Sequence, residues 1–383
     1  MAAITHRERA MAALNHQESD RTPIDFGGAS PTRIKRAAYT RLVEHLGLPF
    51  EGAREQGGEL ADVMNPSEAV LRRLDVDFRG LYLRESVGSI KLDDNSYTDE
   101  YGVLWGRASG GLNFIVLRGP LQKDGLTVRD VERHRWPNGK DPARVEGLRT
   151  EALRLRSETD CALVLNLRSS VVERTLFLRG FTEFLSDLVL DPAVVQSILE
   201  HMLQYACDVA DTALSEVGDL VDVVEISDDM GGEDRPFFSP DTFRKQINPY
   251  LRKVVDAIKS RTKAKIVQHN DGAIFDLIGD LIDVGIDAIN PVQVSARGMG
   301  DTKRLKKVYG DNMCFWGGID THRLLPFGTP EQVASETRRI IEDLGRDGGL
   351  VLASVHNIQD DVPPANVVAM FDTATHYRLS GSR

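Results

Sequence analysis

Residues 264–285 read AKIVQHNDGAIFDLIGDLIDVG: a short apolar run, a polar corner, then a stretch of helical period. Ala264–Val267 has the composition of a buried strand. In 273–285 the apolar residues Ile274, Leu277, Ile278 and Leu281 fall three and four apart, on one helical face. The same strand-then-helix unit recurs along the chain. CALVLNL (161–167), VDVVEIS (221–227), IDAINPV (286–292), NMCFWGG (312–318) and GLVLASV (349–355) are further apolar runs. Periodic stretches such as SPDTFRKQINPYLRKVVDAIKSRT (239–262) and TPEQVASETRRIIEDLGRDG (329–348) separate them. Continuous apolar strands alternating with helices predict a parallel sheet covered by helices.

TPIDFGG (22–28) and VDFRGLYL (76–83) add two weaker strands and bring the number to eight. That is the number that closes a (β/α)8, or TIM, barrel, here as one domain over residues 1–383. An open doubly wound sheet is the rival. It would place GxGxxG after an early strand, and the nearest approach, Gly298-Met299-Gly300, lacks the third glycine. Two features stand outside the repeat. Thr5 and Glu8 form a capping-box pattern that opens an N-terminal helical arm. Residues 88–120 alternate polar and apolar side chains between turn signals, which predicts a β-hairpin insertion on a barrel loop. An irregular connector, 121–150, carries WPNGKDP (136–142) at its centre.

Composition narrows the function. The chain has 383 residues, 41% hydrophobic and 27% charged, with a net charge of −11 and a pI near 5.4. An acidic protein offers no electrostatic footprint for nucleic acid or an anionic membrane. The N-terminal stretch is too charged for a signal peptide, and no apolar run approaches the roughly 18 residues of a membrane span; the expected location is the cytoplasm. Cys161, Cys207 and Cys314 are the 3 cysteines. Their spacing builds neither a disulfide framework nor a CxxC zinc site, so the ligands of any metal must be mostly His, Asp and Glu.

In a barrel of this kind the active site lies at the carboxyl ends of the strands. Polar residues stand just beyond the strand ends in this sequence: Asp25; Asn166 and Arg168; Glu225, Asp228 and Asp229; His269 and Asp271; Asn290 and Gln293; Asp320; His356 and Asn357. His269 and Asp271 are two apart, on one face of a strand that continues through them. Barrel closure would bring His356 across the mouth to meet them. Two imidazoles and a carboxylate suit Zn2+ with one open position. Glu225, Asp228 and Asp229 are the candidate acid/base groups. Asp25, Asn166, Arg168, Asn290, Gln293, Asp320 and Asn357 are the candidate substrate contacts. Two alternatives stay open: both histidines could hydrogen-bond rim backbone, and Asp228-Asp229-Met-Gly-Gly could be a turn with an Asx cap.

VDVVEISDDMGG (221–232), KIVQHNDG (265–272), INPVQVSARGM (289–299), FWGGIDT (315–321), LLPFGTPEQV (324–333) and HNIQDDVPPANVVAMFDTA (356–374), with the start RERAMAALNHQESDRTPIDFGG (7–28), resemble the uroporphyrinogen decarboxylase superfamily. The resemblance covers nearly the whole chain and implies a TIM barrel with one of two activities. One branch decarboxylates a porphyrinogen without a cofactor. The other comprises zinc-dependent methyltransferases that use a corrinoid protein. The decarboxylases carry an Arg-x-x-Gly-Arg motif for propionate carboxylates; here RTPIDFGGASP (21–31) keeps no such pair before Arg33. The methyltransferases carry His-x-Cys after strand five and a further Cys near strand eight. Here His269 matches the histidine, Asp271 stands in the place of the cysteine, and His356 lies near the third ligand.

The resemblance therefore implies a zinc-dependent methyltransferase or demethylase acting on a small methylated substrate. A harder His/Asp/His site favours an oxygen leaving group over a thiol. The corrinoid would ride on a separate partner protein, because Leu325 occupies the glycine place of a DxHxxG motif begun by Asp320 and His322. A cofactor-free decarboxylase or lyase is the alternative, and a homodimer the open quaternary arrangement.

Overall fold

The computed structural model describes residues 4–50, 62–84, 89–93, 95–107, 114–167 and 169–379. Seven strands form one sheet: β1 Phe78–Tyr82, β2 Ala162–Asn166, β3 Val223–Ser227, β4 Lys265–His269, β5 Ala288–Asn290, β6 Cys314–Ile319 and β7 Leu350–Ser354. They lie in the order β7-β6-β5-β4-β3-β2-β1, and every neighbouring pair is parallel. Each pair is joined through helix: Leu148–Glu158 before β2, Pro192–Val217 before β3, Asn248–Lys259 before β4, Ile278–Val284 before β5, Thr302–Tyr309 before β6 and Pro330–Leu344 before β7, with Pro364–His376 last. This is a TIM-barrel-like α/β fold. Local chemistry sets its helix ends. Pro330–Leu344 begins at a Thr329/Gln332 capping box with Pro330 in its first turn.

The first predicted strand, 22–28, is corrected. It is not a run of ladder pairs but a single bridge, Ile24 to Leu352. Gly27 has a φ of +77° and the chain turns away there, so no second pair forms. Even so, this short segment touches both edges of the sheet. Asp25 N–H donates to Leu352 O (2.9 Å), Leu352 N–H to Pro23 O (2.9 Å), and Asp77 N–H to Ile24 O (2.9 Å).

The N-terminal element is also more than an arm. Helix His6–Leu14 has the predicted capping box, and its Ala10 and Leu14 join Phe78, Val164, Val267, Trp316 and Val351 in one buried apolar cluster. It stops the amino end of the barrel. Beneath it, Asp77 (0% exposed) receives Arg9 Nη1 at 2.7 Å and Arg21 Nη1 at 2.7 Å, lies 2.8 Å from His6 Nδ1, and accepts Ile24 N–H at 2.7 Å.

The 88–120 insertion is a four-stranded antiparallel sheet of Ile90–Asp93, Ser96–Thr98, Leu104–Arg107 and Phe114–Arg118. Trp105 packs edge-on against Phe177 at 5.3 Å, which seats the sheet on helix Val172–Arg179. The cysteines are free thiols away from the mouth; burial raises Cys161 to about 11 and Cys314 to about 12. No helix among the described residues is long and apolar enough to cross a membrane.

Candidate metal centre

Strand pleat explains why polar groups gather at the carboxyl end. Val164, Val223, Val267 and Ala288 all belong to the apolar cluster inside the sheet. Two residues further along each strand stand Asn166, Glu225, His269 and Asn290, on the same face. The interior thus passes from an apolar layer to a polar one within a single pleat repeat. His269, Asp271 and His356 each offer a ligand atom, and these atoms lie within 4.8 Å of one another. His269 Nε2 is 3.6 Å from Asp271 Oδ2 and 4.0 Å from Asp229 Oδ1. The His269 and His356 rings are 5.5 Å apart between centroids.

Asn290 fixes how His269 is presented. Its Nδ2 donates to Trp316 O at 3.1 Å, so its Oδ1 is the atom that faces His269 Nδ1 at 2.7 Å. An acceptor there requires the proton on Nδ1, so Nε2 is the atom presented to the carboxylates, as an N–H in the charged ring and as a lone pair once that proton is lost. Asp271 is held by its backbone: its N–H donates to Asp229 Oδ1 at 2.9 Å. The next residue, Gly272, has a φ of +92°, and a Cβ there would lie 2.4 Å from Gly231 C. Only glycine allows the two loops to approach so closely and keep Asp271 at the mouth.

Charge in the site is set by burial and neighbours. Burial lowers His269, but Asp271 and Asp229 outweigh it and hold the ring above the usual histidine range. Burial, reinforced by His269, pushes His356 down to about 3, so its imidazole is neutral with one ring-nitrogen lone pair available. Burial raises Asp229.

The other predicted residues divide. Asn290, Asp229 and Gln293 border the centre, and Glu225 (1% exposed) lies inside the barrel on the His269 face. Gln293 accepts Gly272 N–H at 2.7 Å and donates to Glu233 at 2.8 Å. Asp228 is occupied otherwise: it accepts Val172 N–H and Glu173 N–H at 2.8 Å and Ser170 Oγ at 2.8 Å. It holds the first turn of helix Val172–Arg179 from another loop, rather than capping its own turn at 228–232; burial, against those donors, brings it to about 6.

Asp320 likewise accepts the N–H groups of His322, Arg323 and Leu324. Asp25 accepts Gly28 N–H, Ala29 N–H, Thr32 Oγ1 and Trp316 Nε1. Asn166 ties Ser30 N–H to Gly28 O, and Asn357 accepts Arg33 N–H. These carboxylates and amides hold loops. Arg168 lies outside the described residues.

A family model described as uroporphyrinogen decarboxylase (URO-D) matches residues 126–377. The chain belongs to the uroporphyrinogen decarboxylase family. Among curated URO-D relatives, the uroporphyrinogen decarboxylase of Chlorobium luteolum is 25% identical over 44% of this chain and 46% of its own length. That of Aromatoleum aromaticum is 27% identical over 49% and 51%, and that of Chlorobaculum parvum 29% over 35% and 37%. The chain thus spans about half the length of the curated relatives it matches. A solved methyltransferase from Methanosarcina mazei aligns over 97% of this chain and 99% of its own, with a TM-score of 0.67 and 19% identity, and so shares the fold.

In this URO-D chain the centre opens into a cleft of about 510 Å³. Asp271 and His356 lie on its wall with Glu233, Gln293, His322 and Gln359. Glu233 and His322 escape a reading of strand ends, because each sits several residues beyond its strand. The Gly231-Gly232 pair is the signal for the first, as it marks the close loop approach that carries Glu233 to the wall. The donor set fits a divalent cation. Around a tetrahedral zinc, ligand atoms at about 2.0–2.2 Å from the ion need only small side-chain rotations from the present spacing. A cation held there by these residues would face the cleft that Asp271 and His356 line.

Proposed function

We propose that this URO-D family member is a zinc-dependent methyltransferase that moves a methyl group from a small methylated compound to a corrinoid protein. The observation that carries the reading is the meeting of His269 Nε2, Asp271 and His356 at the mouth, with His269 Nδ1 engaged by Asn290. When bound, the metal supplies Lewis acidity toward a leaving oxygen. The chain does the rest. Asn290 holds the imidazole in one tautomer, and Asp229 fixes the Asp271 loop. Gln293 and Gln359 offer polar contacts in a cleft sized for a small molecule.

The decarboxylase reading draws support from the names of the sequence relatives. Against it stands the sign of the mouth: a substrate with many carboxylates would meet Asp229, Asp271 and Glu233. One experiment separates the two. Protein purified with zinc available is assayed for metal by elemental analysis, and for methyl transfer from methoxy and methylamine compounds to cob(I)alamin. One equivalent of zinc with transfer supports our reading. Metal-free protein that releases CO2 from a porphyrinogen replaces it.

Asp271 gives a graded test. Asp271→Cys should retain zinc, while thiolate donation lowers its Lewis acidity, so turnover of an oxygen-linked donor should fall about tenfold or more. Asp271→Ala should lose zinc as well, since two imidazoles remain. Equal zinc occupancy in wild type and Asp271→Ala would remove Asp271 from the ligand set.

A further inference from the structure

A second cleft, of about 480 Å³, lies on the outer side of the same rim, and three arginines line it: Arg235, Arg297 and Arg304. None of the three has a carboxylate within salt-bridge distance among the described residues. This is so although the chain carries a net charge of −11 and Asp234 and Asp276 share the lining.

Backbone hydrogen bonds tie the loops of two of the arginines together, and an aromatic ring holds the third. Arg235 closes a tight turn in which Gly232 N–H donates to its carbonyl at 2.9 Å, and Gly231 pairs with Pro236 just outside the turn. Arg297 N–H donates to Glu233 O at 2.8 Å, which ties the second arginine's loop to the first. The Arg304 guanidinium lies 4.0 Å over the Phe275 ring. Tyr309, stacked edge-on at 5.1 Å and bonded to Phe275 O at 2.9 Å, backs that ring. Stacking fixes the guanidinium plane and leaves its N–H edges for a ligand.

We propose that this cleft binds a small phosphate ester bearing hydroxyl groups. Phosphate matches guanidinium forks, which bind its oxygens in pairs, and three of them line this one cleft. The two aspartates accept hydrogen bonds from hydroxyls and would repel a ligand with several carboxylates. Concavity favours a small molecule over the acidic face of a protein. The inference is independent of the methyl-transfer reading. The wall between the two clefts carries Asp271 and Gly272, with Ala273 N–H bonded to Gly232 O at 2.8 Å, so a ligand here would contact the loop that holds the metal centre.

Calorimetric titration of chelator-treated full-length protein at low salt tests it, with ribose 5-phosphate, inorganic phosphate and ribose as probes. Ribose 5-phosphate should bind saturably, at least several-fold more tightly than inorganic phosphate, and ribose should not bind. Arg297→Ala, on an exposed turn, should weaken binding about fivefold or more. The triple change Arg235→Ala/Arg297→Ala/Arg304→Ala should abolish it with the circular dichroism spectrum unchanged, while Asp271→Ala should still bind. Absence of saturable binding overturns the proposal. So does binding that survives the triple change, or binding of hexaglutamate without ribose 5-phosphate.

Discussion

His269→Ala should yield a folded protein that retains no stoichiometric zinc and transfers no methyl group. The ring is buried, yet it stands in the polar layer above the apolar interior, and its partner Asn290 keeps the bond to Trp316 O. The loss of stability should therefore stay within about 1–3 kcal/mol, the range of an ordinary damaging change. The loss of function should be complete to the limit of assay, because one imidazole and one carboxylate cannot hold the ion with useful affinity. Elemental analysis and thermal unfolding of the same preparation decide the matter. If stability and activity fall together, with zinc retained, His269 is a structural residue.

The second large effect is expected at the opposite end of the barrel. Asp77→Ala should destabilise the protein by about 3–5 kcal/mol, the cost of removing one partner from a buried ion pair. Arg9 and Arg21 are 6% and 5% exposed and would lose a shared counter-ion. Arg9 keeps Asp20 and Arg21 keeps Asp75, which places the expectation at the lower end of that range. Acid behaviour has a definite sign. Burial raises the Asp77 carboxyl, but His6, Arg21 and Arg9 outweigh it, and the group sits below its ordinary value. Its contribution is full above the unfolded carboxylate range near pH 4 and is lost as pH falls through the lower folded value. Urea unfolding between pH 7 and pH 3 should show a flatter acid limb in Asp77→Ala than in wild type. Parallel limbs would exclude the linkage.

The barrel strands from 160 onward are legible in the sequence because a parallel strand covered on both faces leaves an unbroken apolar run. The segment 22–28 misleads for the complementary reason: Pro23 and Gly27 flank a single ladder position, and composition alone does not show how many pairs form. At the site, the two-residue spacing of His269 and Asp271 is readable. The division between residues that converge at the mouth and those that hold loops is not. Asp228 and Asp320 come after strands just as Asp271 does, and an aspartate that holds backbone N–H groups has the same sequence signature as one that meets a substrate. Asn290 reads as a substrate contact in the sequence. Its hold on His269 depends on β4 and β5 lying side by side in register, a relation between segments that no single stretch of sequence displays.

The one-residue bridge at Ile24 has a mechanical consequence. Tension applied at the N-terminus loads that joint together with the buried helix and the Asp77 ion cluster: the seven-stranded sheet is zipped along its length, whereas this seam is one ladder position held by a few backbone hydrogen bonds. A tethered molecule should first peel away roughly its first thirty residues, helix His6–Leu14 included, at modest force. The remaining sheet, an open hoop still carrying His269, Asp271 and His356 on β4 and beyond β7, should yield only at higher load. With one end of the hoop released, the imidazole beyond β7 need no longer face the one on β4, so the grip on a metal ion would report directly on whether the seam is fastened.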